Sequence, residues 1–201
     1  MTRILLLLCC LLPLGVPASP EQPEDIVVRV TNEVFGAIRG HEAELRQHPE
    51  RLYALIQSIV VPVVDLETFS KLVLKHYWRT ATPEQRHRFM AAFKRRVVRT
   101  YGGYLVDYAD TKVRLLQSRP LPSPNRKMVR TLIEVRGQQP MHVDYYFHRK
   151  NGRWLVYDVV VDGTSLVLLF RDDIGQKVAQ KGLEAVIREL EAEGSESQAP
   201  G

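Results

Sequence analysis

The period of the hydrophobic pattern changes after Asp110, and that change limits the class of fold. Upstream, apolar residues recur at three- and four-residue steps, the period of an amphipathic helix. Downstream, Val113 and Leu115 alternate with Lys112 and Arg114, the two-residue period of a half-buried strand. A final helix carries Ile174, Val178, Val186, Ile187 and Leu190. Helices, then strands, then a helix is an α+β order, in which helices cover one face of a curved antiparallel sheet.

The helical half divides at its caps and prolines. Val27, Val30, Val34 and Ile38 form one stripe that stops near Gly40. Pro49 opens a second helix with Leu52, Leu55, Ile56 and Ile59, closed by Pro62. Asp65 is placed to cap a third, bearing Leu66, Phe69, Leu72 and Val73. Thr82-Pro83-Glu84-Gln85 carries a capping box with proline at the first helical position. From there Phe89, Phe93, Val97, Tyr101, Tyr104 and Tyr108 form a long aromatic stripe, with Gly102-Gly103 as the place for a kink. The opposite face carries Arg86, Arg88, Lys94, Arg95, Arg96 and Arg99.

About four strands follow. The first holds Val113 and Leu115; Pro120–Pro124 is a loop; the second, near 126–136, turns Val129, Ile133 and Val135 to one side. Gly137-Gln138 leads to the third strand, Met141 to Arg149, and Asn151-Gly152 is a hairpin turn into the fourth, Trp154 to Val161. After Asp162-Gly163 the apolar run resumes as Leu166 to Phe170. That run adds apolar surface beyond the single buried face that each element needs.

The first residues read as something other than this fold. Arg3, an apolar run from Ile4 to Leu12, and Val16-Pro17-Ala18 follow the order of a secretory signal peptide, with cleavage expected after Ala18. Residues 1–18 are thus expected to be a leader, 19–193 a single domain, and 194–201 a disordered tail. Both cysteines, Cys9 and Cys10, fall in the leader, and Leu8 stands where lipid attachment to Cys9 would want a small residue. We therefore expect a freely soluble exported protein with no thiol, hence no disulfide or cysteine metal site. Arg3 leaves with the leader, taking the formal net charge from +5 to +4. A balance that mild suits an anionic partner or lipid surface and does not point to nucleic acid.

Few residues suggest catalysis. No G-x-S-x-G, H-E-x-x-H or P-loop occurs in the chain. His142, Asp144, Tyr146 and His148 share a strand face, a spacing that suits a metal. Alternation with Met141, Val143, Tyr145 and Phe147 favours a solvated outer face instead. Strict alternation places Asp158 inward with Trp154, Val156 and Val160, where a carboxylate needs a partner. Arg171, returning after the turn, is the candidate, giving a structural ion pair. The basic face made by Arg86, Arg88, Lys94, Arg95 and Arg99 has a nearly uniform sign and is a candidate for docking an acidic partner.

Two segments, 76–108 and 143–171, resemble the MlaC / toluene-tolerance family of periplasmic phospholipid-binding proteins. The likeness rests on Tyr77, Trp78, Ala81, Thr82, Gln85, Arg86 and Phe89; on Val143, Asp144 and Tyr145; and on Trp154, Tyr157, Asp158, Gly163, Ser165, Leu166, Phe170, Arg171 and Gly182. His76 stands where the family usually has glycine, and Thr164 where valine is common. The resemblance implies an NTF2-like sheet wrapped by helices, with a deep apolar cavity for acyl chains. It implies no catalysis and no cofactor. It also implies a carrier that moves phospholipid between an outer-membrane lipoprotein–porin complex and an inner-membrane ABC transporter with an MCE-domain ring, maintaining outer-membrane lipid asymmetry.

On this reading the lipid-binding residues are Phe69, Leu72, Phe89, Phe93, Val97 and Tyr101 from the helices. The strands contribute Val129, Ile133, Val143, Tyr145, Phe147, Trp154, Val156 and Val160, and the late run Leu166, Leu169 and Phe170. We expect a monomer. Two alternatives stay open: another amphiphilic cargo such as a hopanoid, and an isomerase of the NTF2-like kind using Asp158 and Tyr145.

Overall fold

The computed structural model describes residues 21–195, apart from Arg136 and Gln138. The leader expected at 1–18 lies outside the described residues. So does the tail from 196 onward, whereas Gly194 and Ser195, expected to be tail, continue the last helix.

Eight helices and five strands are described, in the order α1 (Pro23–Ile38), α2 (Glu42–Gln47), α3 (Pro49–Ile59), a 3-10 turn (Val61–Val63), α4 (Leu66–Leu74), α5 (His76–Thr80) and α6 (Pro83–Asp107). Then come β1 (Lys112–Pro120), β2 (Arg126–Glu134), β3 (Met141–Lys150), β4 (Arg153–Val161), β5 (Thr164–Ser165), α7 (Leu166–Lys181) and α8 (Leu183–Ser195). The sheet is an open antiparallel meander in the order β1-β2-β3-β4-β5. The α+β expectation therefore stands, with a fifth, two-residue strand added.

Local chemistry sets the helix starts. The Asp65 carboxylate accepts the Thr68 N–H at 3.0 Å and opens α4. At α6 the Thr82 hydroxyl accepts the Gln85 N–H while the Gln85 side chain accepts the Thr82 N–H, each at 3.1 Å. These reciprocal bonds satisfy donors that the first helical turn leaves without partners. α6 then runs unbroken through Gly102-Gly103. A Cβ on Gly102 would stand 2.9 Å from Ile56 Cδ1, so this glycine lets α3 approach α6 closely.

The late apolar run is not a separate layer. Ser165 caps α7, and Leu166 to Phe170 are its first turns. Nor is there a single final helix. Gly182, at φ +82°, ends α7 and lets the chain fold back as α8 against α6.

Three buried clusters surround the centre. Phe69, Phe89, Phe93, Phe170 and Ile174 anchor the first, among helices. The second joins α1, α2 and α3 to the end of α6 through Phe35, Ile38, Leu52, Ile56 and Val106. In the third, Ile26 and Val27 of α1 cover Val129, Phe147 and Val156 of the sheet.

Candidate functional site: an apolar cavity between helix and sheet

Where those clusters leave off, a cavity of about 570 Å³ remains. It is well inside the ~300–1,000 Å³ range of sites that hold small molecules. One wall is α6, with Lys94, Val97, Val98, Tyr101, Gly102, Tyr104, Leu105 and Tyr108. The sheet supplies Ile133, Met141, Val143, Tyr145, Val159 and Val161 opposite. Ile56, Val60, Val61, Val64, Leu66 and Phe69 close one side, and Thr164, Leu166 and Leu169 the other. Tyr104, Leu169 and Thr164 are exposed and mark the opening, whereas Val143 and Ile133 are buried at depth.

The aromatic stripe of α6 therefore does two things. Its first half is solid core: the Phe93 ring lies 5.2 Å from Phe89, 5.6 Å from Phe69 and 5.0 Å from Phe170. Its second half, from Val97 onward, starts at the edge of that core, where Val97 and Tyr101 still pack, and lines the cavity. Tyr101 stands at the junction, edge-on to Phe170 at 6.0 Å.

Eight of the residues expected to bind lipid line the cavity: Phe69, Val97, Tyr101, Ile133, Val143, Tyr145, Leu166 and Leu169. The others do not, for three physical reasons. Leu72, Phe89, Phe93 and Phe170 belong to the helical core, packed where an aromatic stripe meets α7 and α8. Val129, Phe147, Trp154 and Val156 lie on the correct sheet face but under α1, which fills that end. Val160 is on the other face. A β-bulge causes this: Phe147 pairs with Val156 and Tyr146 with Asp158, leaving Tyr157 as the extra residue. One inserted residue reverses the side-chain alternation beyond it. Val159 and Val161 thus take the inward positions that alternation assigned to Asp158 and Val160.

The bulge also separates Asp158 from Arg171. The Asp158 carboxylate accepts the Ser165 hydroxyl at 2.6 Å and the Val167 N–H at 3.1 Å, at the start of α7. Arg171 Nε donates to the Leu72 carbonyl at 2.9 Å. The expected ion pair is replaced by two separate tethers, one from α7 to β4 and one from α7 to α4. An acid and a phenol do not meet in the cavity either, since Tyr145 lines it and Asp158 does not. Burial pushes the Tyr145 phenol above its usual range, with Thr131 hydrogen-bonded to it in partial compensation.

On the outer sheet face, Asp144 is buried rather than solvated and takes Arg130 in a two-point bond, both contacts 2.6 Å. His148 Nε2 lies 2.9 Å from Asp65, and Tyr146 stacks edge-on to Tyr157. His142, Asp144 and His148 therefore have separate partners, and no metal-holding group of three or more such residues occurs among the described residues.

The basic face of α6 is largely tied down within the molecule. Arg88 binds Glu184 at 2.8 Å and Glu191 at 2.7 Å on α8. Arg96 binds Glu193 at 2.6 Å and Asp173 at 3.5 Å. Arg86 donates to the carbonyls of Trp78 and Arg79 and lies over the Trp78 ring. Lys94 belongs to the cavity. Of the five expected docking residues, Arg99 enters none of these arrangements, and Arg95, which is exposed, adds only a charge attraction toward Glu191.

Sequence reasoning missed the wall from Ile56 to Val64. Its signal is Ile59-Val60-Val61-Pro62-Val63-Val64, an apolar run with no period, richer than one buried face requires.

A family model described as MlaC protein matches residues 28–192. The chain belongs to the MlaC family. Its relatives include the toluene tolerance protein ttg2D of Pseudomonas putida, 30% identical over 183 residues, covering 90% of this chain and 83% of that one. A second is the intermembrane phospholipid transport system binding protein MlaC of Haemophilus influenzae, 24% identical over 180 residues, covering 87% and 83%. The fold matches that of a phospholipid-binding protein from Ralstonia solanacearum solved with a phospholipid. The TM-score is 0.79 at 22% identity, over 88% of this chain and 98% of that one. Among the described residues of this family member, no helix is long and apolar enough to cross a membrane.

Proposed function

We propose that the cavity carries the acyl chains of a phospholipid, and that the protein is a carrier and not an enzyme. The observation that supports this is the site itself: about 570 Å³ walled by aliphatic and aromatic side chains and open to solvent. Apolar walls that face water forgo the close contacts of a filled interior, and an apolar ligand restores them. From Lys94 to Tyr108 the α6 wall is about 21 Å long, against about 15 Å for the chains of one bilayer leaflet.

The need for a carrier follows from solubility. Moving an acyl chain into water costs about 0.8 kcal/mol per CH₂, so two long chains cost on the order of 20 kcal/mol. The names of the relatives support the same reading. With the leader removed after Ala18, the mature chain acts in the periplasm as a soluble monomer. It passes lipid between an outer-membrane lipoprotein–porin complex and an inner-membrane ABC transporter bearing an MCE-domain ring, and so maintains lipid asymmetry. Arg95 and Arg99 are the residues we assign to docking these partners.

The test is native mass spectrometry of the protein purified without detergent from a Gram-negative host. Phospholipid is the expected adduct. Empty protein, or a different amphiphile such as a hopanoid, would overturn the assignment.

A further inference from the structure

Lys94 stands apart from the other cations of its helix. Among the described residues it is the single charged side chain in the cavity lining, and it makes no hydrogen bond or ion pair there. Arg86, Arg88 and Arg96, by contrast, all have partners within the molecule. Its position on α6 explains where it points. Val97, Val98, Tyr101, Leu105 and Tyr108 follow it at helical spacing on the face that lines the cavity. A lysine stem of four methylenes lies along such a wall while its ammonium stays in water. The residue is partly exposed, in keeping with that posture.

We propose that the Lys94 ammonium holds the phosphate oxygens of the bound amphiphile, and that the cavity therefore favours lipids whose headgroup is net anionic. This rests on the lipid-carrier reading above. The apolar walls are indifferent to the headgroup and supply the affinity; Lys94 supplies discrimination. A zwitterionic headgroup brings its own cation to the phosphate and gains less from a second one. Because the ammonium is wet, the preference is modest: pairs of this kind correspond to roughly twofold to fivefold in equilibrium.

The experiment loads the mature protein from vesicles containing equal parts phosphatidylglycerol and phosphatidylcholine, then repurifies it and quantifies both bound lipids by mass spectrometry. The protein as it stands should carry phosphatidylglycerol in roughly twofold to fivefold excess. Lys94→Met should bring the ratio to about one and Lys94→Arg should restore it, while Lys71→Met, an exposed lysine outside the lining, should leave it alone. Thermal melts establish that each variant is folded. A fourth arm adds inorganic phosphate, with chloride at matched ionic strength as its control. The ratio should be the same in both, because a free anion lacks the tails that place it. If phosphate alone abolishes the preference, Lys94 is a free-anion site and the proposal fails. It fails equally if the native protein takes both lipids in equal amounts, or if Lys94→Met keeps the native ratio. A native protein that takes neither lipid would instead refute the carrier reading itself.

Discussion

Replacing Asp158 by alanine tests the tether that places one rim of the cavity. The carboxylate accepts the Ser165 hydroxyl at 2.6 Å and the Val167 N–H at 3.1 Å. Ser165 in turn caps α7 by accepting the Leu168 N–H at 3.1 Å. Hydrogen bonds to a charged group are worth about 1.5–3 kcal/mol, and a carboxylate at a helix N-terminus adds about 0.3–1 kcal/mol. Partial exposure of Asp158 argues for the lower end, so a loss of about 2–3 kcal/mol is expected. For a chain of this size that is a fall in melting temperature of about 4–12 °C. Leu166 and Leu169 ride on the loosened turn, so lipid retention should fall with it. Arg171→Gln removes only the bond to the Leu72 carbonyl and should cost about 1 kcal/mol. The decisive measurement is a double-mutant cycle by thermal or urea unfolding. Asp158 and Arg171 share no partner, so their effects should add to within about 0.5 kcal/mol. A coupling well above that would show a direct ion pair, and an unchanged melt for Asp158→Ala would show that the tether contributes nothing.

Val143→Asp puts an unpaired carboxylate deep in the cavity; it should abolish lipid loading, read by native mass spectrometry on protein shown to be folded by its melt. At Gly103 an added Cβ meets nothing within 4 Å, so Gly103→Ala should stabilise α6 by up to about 1 kcal/mol. Gly102→Ala should gain less, because Ile56 must shift, and paired melts compare the two. Burial pushes the Asp65 carboxyl up, but the Thr68 N–H and Lys150 outweigh burial and hold it below its usual 3.8. A lowered carboxylate contributes stability that is present above the unfolded value and lost as pH falls through the folded one. Asp65→Asn should therefore flatten the acid limb of a stability–pH profile below about pH 4 and shift the profile down at neutral pH.

The order of elements and the helix caps at Asp65 and Thr82 were legible in the sequence because they depend on neighbours within a turn or two. Residue type and spacing decide them before any tertiary contact forms. The family was legible for a related reason: Tyr77-Trp78 and the run from Trp154 to Arg171 carry its motif in contiguous positions. What each apolar residue faces was not legible. Phe93 and Val97 are one step apart on the same stripe, yet one is in solid core and the other on a cavity wall. The difference is the end of the Phe69–Phe170 cluster, made by α4 and α7. Val159 and Val160 exchanged faces because of one extra residue at Tyr157, which alternation cannot register. Arg88 looked available for docking until α8, turned back at Gly182, brought Glu184 and Glu191 to it. A periodic pattern states that a face is apolar. Only the tertiary arrangement decides whether protein fills the space beside that face or leaves it open.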